Sequence, residues 1–121
     1  MDQIKVCHII TRLIRGGAQE NTVLTANGLV KKGYDVVLAG GPGTGSRQSI
    51  VPDIGKKVRV IIIPEMQRAV NPIKDIIASW KIYRLCKREQ FTIVHTHSTQ
   101  AGIYGRLAAK CAGVPIIIHT I

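Results

Sequence analysis

Ile4-Lys5-Val6-Cys7-His8-Ile9-Ile10-Thr11-Arg12-Leu13-Ile14-Arg15-Gly16-Gly17-Ala18-Gln19-Glu20 is the stretch that decides the fold. Its first part, Ile4 to Ile10, is a short β-branched run, and Gly16-Gly17 then opens a segment of helical period with Glu20 in its first turns. The helix is expected to stop at Lys31-Lys32-Gly33, where basic residues suit the helix dipole and Gly33 can turn left-handed. Further apolar runs follow at Val36 to Ala39, Val58 to Ile63, Thr92 to His95 and Ile116 to Thr120, with helical patterns between them. Strands this uniformly apolar need cover on both faces, which calls for βαβ crossovers. The reading is an α/β, three-layer parallel sheet of five strands in the order 3-2-1-4-5, with right-handed crossovers.

Composition agrees. The 121 residues suit one domain and cannot hold two lobes with a cleft between them. Apolar residues make up 45% and aromatics only 4%, so Val, Ile, Leu and Ala must build the core. Asn71-Pro72 reads as cap and first residue of a helix whose stripe Ile73, Ile76, Ile77, Trp80 and Tyr83 has core spacing. Ser98 reads as the cap of a later helix that closes at Cys111-Ala112-Gly113. Gly40 to Ser46 reads as a loop, and a weak helix is expected within residues 47–57, where Pro52 and Gly55 interrupt the pattern. Cys7, Cys86 and Cys111 form no Cys-x-x-Cys pair and read as reduced and packed. No signal peptide and no run of roughly 20 apolar residues is present, so the expected compartment is the cytoplasm.

The net charge of +10 raises phosphate-bearing partners: nucleic acid, an anionic membrane, or a small phosphorylated molecule. Lys74, Lys81, Arg84, Lys87 and Arg88 also fit an ordinary solvated helix face. Scattered aromatics and the lack of a recognition motif argue against nucleic acid.

Ligands of open parallel sheets bind beyond the carboxyl ends of the strands. Two glycines at a helix start let backbone N–H groups approach an anion or a sugar, although Gly16-Gly17 can equally be a plain tight turn. A dinucleotide fingerprint is absent, as is an acid ending the second strand. Gly40 and Gly45 have P-loop spacing, but Ser46-Arg47 replaces the required Lys-Ser/Thr. His95 and His97 lie two apart at a strand end and share a face. They could be half a zinc site, but no third ligand is evident. His95 reads as a hydrogen-bonded core residue, and His97, just before the capped helix, is the better functional candidate.

At these residues the chain resembles the N-terminal domain of glycosyltransferase family 4. The matching pieces are Ile10 to Glu20, Gly28 to Tyr34, Val94 to Ser98, Gly105 to Ala109 and Ala112 to Pro115, in the family's order. The resemblance implies a GT-B enzyme with two Rossmann-like domains, the first taking the acceptor and the second a nucleotide-sugar donor, with retention at the anomeric carbon. Residues 1–121 would then be the acceptor-side domain alone, without the donor domain, and inactive by themselves. Gly16 and Gly17 would lie beside the donor's phosphates or the acceptor, with Arg15 and Gln19 nearby, and His97 would line the acceptor cleft. Family members commonly read His-Thr-Val-His-Gly after the fifth strand; His119 stands at the first His, and the second lies beyond Ile121. No catalytic residue is assigned within the chain. The resemblance implies no metal and no cofactor, since helix dipoles and basic residues would steady the leaving diphosphate. It implies a nucleotide sugar and a glycan or lipid-linked acceptor as partners, peripheral contact with an anionic membrane, and no nucleic acid. Exposed apolar surface beside the last strand would favour self-association.

Overall fold

The computed structural model describes residues 4–13, 17–42, 54–66, 71–97 and 99–120, apart from the side chains of residues 18 and 99–101. The elements run β1 (Lys5–Arg12), α1 (Gly17–Lys31), β2 (Asp35–Gly41), β3 (Arg59–Ile62), α2 (Pro72–Glu89), β4 (Ile93–His97), α3 (Thr99–Cys111) and β5 (Ile116–Thr120). The five strands form one sheet in the order β3-β2-β1-β4-β5, and every adjacent pair is parallel. This is the expected topology. Parallel neighbours need a crossover, and each described helix supplies one.

Alternation along the strands sorts the side chains into two cores. Cys7, Ile9, Val37, Ala39 and Val94 pack with residues of α2 and α3 on one side. Ile10, Val36 and Leu38 pack with Val23 and Ala26 of α1 on the other. The helix ends follow the sequence. Gly33 and Gly113 take positive φ, 95° and 83°, as a left-handed C-terminal cap requires. The Asn71 side chain accepts from the Lys74 amide at 3.1 Å, with Pro72 behind it. Asn71→Ala should therefore lower stability by about 1 kcal/mol in urea titration, whereas Asn71→Asp should leave it nearly unchanged.

Four expectations change. The stripe Ile73, Ile76, Ile77 and Trp80 is not core: Ile73 is 73% exposed, Ile76 70% and Trp80 57%, while Tyr83 is half-buried. Ala78, Ile82, Leu85 and Cys86 face the sheet instead. Glu89, on the Ala78–Ile82–Leu85 side, meets Arg59 at 2.7 Å and Lys5 at 3.6 Å near the strand starts, in keeping with that rotation of α2. Gly40 and Gly41 belong to β2 rather than to the following loop, because their amides and carbonyls still pair with β1 and β3. Cys111 is exposed, whereas Cys7 and Cys86 are buried, and all three are free. Within 47–57, residues 54–57 are not helical; residues 47–53, like Ser98 and 43–46, lie outside the described residues. No helix among the described residues is long and apolar enough to cross a membrane.

Candidate functional site

The histidines of β4 are two residues apart and on one face, as expected, with rings stacked 4.2 Å between centroids. A third ring joins them that sequence reasoning missed. His8 of β1 stands opposite His95 in register, and its ring centroid lies 5.1 Å from His95 and 5.3 Å from His97. All three sit on the α1 side, because they alternate with Val94, Cys7 and Ile9 on the other. Only the strand register could have revealed His8.

His8 Nδ1 and His97 Nε2 are 3.0 Å apart, so one donates and the other accepts. Burial, followed by the neighbouring rings, pushes His8 down to about 3; burial and then His95 and His119 push His97 to about 4. Both are therefore neutral at pH 7, each with one ring proton. His8 is 1% exposed, and its Nε2 has no partner among the described residues. A buried N–H without an acceptor costs more than a bare lone pair, so the His8 proton belongs on Nδ1, donating to His97. The His97 proton is then on its own Nδ1. His95 is half-buried rather than core, bonds Thr120 Oγ1 through Nε2 at 2.5 Å, and is also lowered by burial and by His119.

The three imidazoles offer ligand atoms all within 4.8 Å of one another. That supplies the third ligand missing from the sequence reading, and neutral rings could hold a transition metal without displacing protons. His8 Nδ1, His97 Nε2 and His95 Nε2 are engaged in the His8–His97 and His95–Thr120 hydrogen bonds, which a metal bound through those atoms would have to replace.

The other expected site residues are dispersed. Arg15 and Gly16 lie outside the described residues. Gly17 begins α1, and a Cβ built there meets nothing within 4 Å. No described neighbour therefore demands glycine at this position. The Gln19 amide donates to the Arg12 carbonyl at 3.4 Å, tying the first turn of α1 to the end of β1. His119 lies on the opposite side of the sheet from His97. It pairs in register with Thr96, meets Thr96 Oγ1 through Nδ1 at 2.8 Å, and packs on Gly102 of α3. Thus His97 and the α1 start share the carboxyl edge of the sheet, while His119 holds α3 against it.

Comparison with known proteins agrees with the fold. The chain is 33% identical over 122 residues to the Escherichia coli UDP-Gal:alpha-D-GlcNAc-diphosphoundecaprenol alpha-1,3-galactosyltransferase, covering 98% of the chain and 30% of that protein. Among solved structures, a glycosyltransferase from Rickettsia africae ESF-5 superposes with a TM-score of 0.73 at 17% identity, covering 100% of this chain and 30% of that one. MurG from Acinetobacter baumannii gives 0.69 at 20% identity, covering 96% of this chain and 35% of that one. At such identities these structures speak for the fold alone, and the chain spans about a third of their length. The sequence model of Glycosyltransferase Family 4 matches residues 15–121, which include α1, the β4 histidines and β5. On that match the chain belongs to glycosyltransferase family 4.

Proposed function

We propose that these residues are the acceptor-side domain of a retaining enzyme that moves a sugar from a nucleotide-sugar donor to a lipid-linked glycan acceptor. The family match over residues 15–121 carries the reading. The name of the Escherichia coli relative supports its chemistry, with a UDP-sugar as donor and a diphosphoundecaprenol-linked sugar as acceptor. His97 is a neutral imidazole at a strand end, anchored by His8, which supports a role in hydrogen bonding to an acceptor hydroxyl. Gly17 begins α1 with no described atom within 4 Å of a Cβ built there, and a helix start of this kind suits a phosphate or a sugar oxygen. Transfer also needs donor and acceptor held at reacting distance, which is worth on the order of several kcal/mol of barrier. A donor-binding domain would supply the facing wall of that cleft, so residues 1–121 alone are expected to be inactive.

The test is to incubate the whole gene product, and the 121-residue chain separately, with a panel of nucleotide sugars and a lipid-diphosphate-linked acceptor. Release of nucleoside diphosphate should depend on the acceptor, occur with the whole product only, and be unaffected by EDTA. His97→Asn should raise the acceptor KM roughly tenfold, the equivalent of one good hydrogen bond, and leave the donor KM unchanged. Turnover by the 121-residue chain at the rate of the whole product would overturn the two-domain reading. No turnover on any donor, with tight binding to nucleic acid, would overturn the transferase reading itself. Loss of turnover in EDTA would overturn the metal-independent reading.

A further inference from the structure

His8, His95 and His97 stand on two adjacent parallel strands, and the ladder between β1 and β4 fixes the backbone of all three. His8 and His95 are register partners, and His97 follows His95 on the same face. One ring nitrogen of each lies within 4.8 Å of the other two. A tetrahedral ion bound at about 2.0–2.1 Å spaces its nitrogen donors about 3.3 Å apart. His8 Nδ1 and His97 Nε2 already stand 3.0 Å apart, so one edge of the triangle is close to that spacing. Closing the rest is left to rotation of the side chains. A second observation points the same way. His8 Nε2 is buried with no partner among the described residues, and an orphaned buried nitrogen is rare enough to need a reason. Apolar side chains would fill this sheet face without leaving one.

We propose that His8, His95 and His97 form a binding site for a divalent transition-metal ion of the zinc class, held through one ring nitrogen of each. The donor set decides the class. Three imidazoles with no carboxylate among the grouped side chains suit zinc, copper or nickel, whereas magnesium and calcium require oxygen ligands. Three protein ligands leave a fourth position for water. The ion takes no part in the sugar transfer proposed above and opposes it. Binding at His97 replaces the His8 hydrogen bond that holds this ring for an acceptor hydroxyl, so zinc and acceptor compete. Only this competition rests on the transferase reading; the metal site itself does not.

The experiment uses the 121-residue chain carrying Cys111→Ser, which removes the exposed thiol as a rival zinc ligand. Titration with zinc, followed by calorimetry and by NMR of the ring nitrogens, should give one ion per chain. It should shift a nitrogen in His8, His95 and His97 and leave His119, on the other side of the sheet, unmoved. Magnesium at the same concentration should not bind. His95→Gln should weaken zinc binding by roughly 100-fold or more, since loss of a group one shell further out already costs about 10–100-fold. His8→Gln should do the same, and half-buried His95 keeps the test open if the His8 variant does not fold. No zinc binding, shifts confined to one or two rings, or equal binding by His95→Gln would overturn the site. With the whole gene product, zinc should raise the acceptor KM, leave the donor KM unchanged and lose this effect in His95→Gln. Transfer indifferent to saturating zinc would overturn the competition. The two readings fail separately. Transfer by a gene product whose histidines do not bind zinc removes the metal site and keeps the transferase, whereas zinc on all three rings with no transfer from any donor does the reverse.

Discussion

Gly41→Ala should destabilise the domain by on the order of 4 kcal/mol, at the severe end for a single methyl group. A Cβ at Gly41 would sit well inside van der Waals contact of the Met66 carbonyl oxygen and 2.6 Å from the Thr11 carbonyl oxygen. Both obstacles are backbone, so no rotamer change relieves them. Three chain segments converge here. Gly41 pairs with Arg12 across an irregularity in β1, its carbonyl accepts from the Leu13 amide at 2.9 Å, and the turn closed by Met66 N to Ile63 O lies against it. Moving any one segment disturbs the carboxyl edge of β1, from which α1 starts. Gly28→Ala is the matched control. Gly28 lies within α1 with nothing within 4 Å of its Cβ position, so alanine there should stabilise by about 0.5–1 kcal/mol. Urea unfolding of the two variants beside wild type should give shifts of opposite sign. A Gly41→Ala midpoint within experimental scatter of wild type would show that the convergence at the end of β2 is not tight.

That same glycine shows where the sequence was readable and where it was not. Alternating apolar runs and helical segments fix the number, order and direction of the strands, because a strand apolar on both faces leaves little choice but a parallel sheet with helices on both sides. Gly40-Gly41 read as loop because glycine is a poor strand former, and nothing local discloses that Met66 and Thr11 approach so closely that only glycine fits. The α2 stripe failed for a related reason. Positions 73, 76, 77 and 80 and positions 78, 82, 85 and 86 both have helical spacing, and the first set has the larger side chains. In the buried set Ala78 is small enough to let the helix approach the sheet, and Glu89 on that side meets Arg59 and Lys5. At the site, the shared face of His95 and His97 follows from strand period alone. His8 required the β1–β4 register, which no single segment encodes, and the separation of His119 from His97 follows from its register with Thr96.

Acid should weaken the domain before Glu65 and Glu89 titrate, because three neutral imidazoles are packed together on one sheet face. For His8 the folded value is pushed from 6.5 down to about 3, so the folded chain takes up a proton less readily than the unfolded one. The sign follows from linkage. A depressed value contributes stability that is whole above the unfolded value and is lost as the pH falls below 6.5 toward 3. At about 1.4 kcal/mol per pH unit, His8 alone loses roughly 2 kcal/mol by about pH 5 and approaches 5 kcal/mol near pH 3. His97, lowered to about 4, titrates in the same direction, and a proton on either ring meets the other two stacked beside it. The carboxylates of Glu65 and Glu89, held below 4.5 by hydrogen bonds from Lys81 and Arg59, keep their charge through the upper part of this window. The decline between about pH 6.5 and 5 therefore belongs to the histidines. Urea titrations across that range in EDTA give the number of protons taken up on unfolding from the slope of stability against pH. Wild type should take up more than one proton. His8→Leu, which removes the buried ring nitrogen that has no partner among the described residues, should take up about one fewer. A flat profile over this range would mean that His8 and His97 are not buried neutral in solution, and the anchored tautomer assigned to His97 would fall with it.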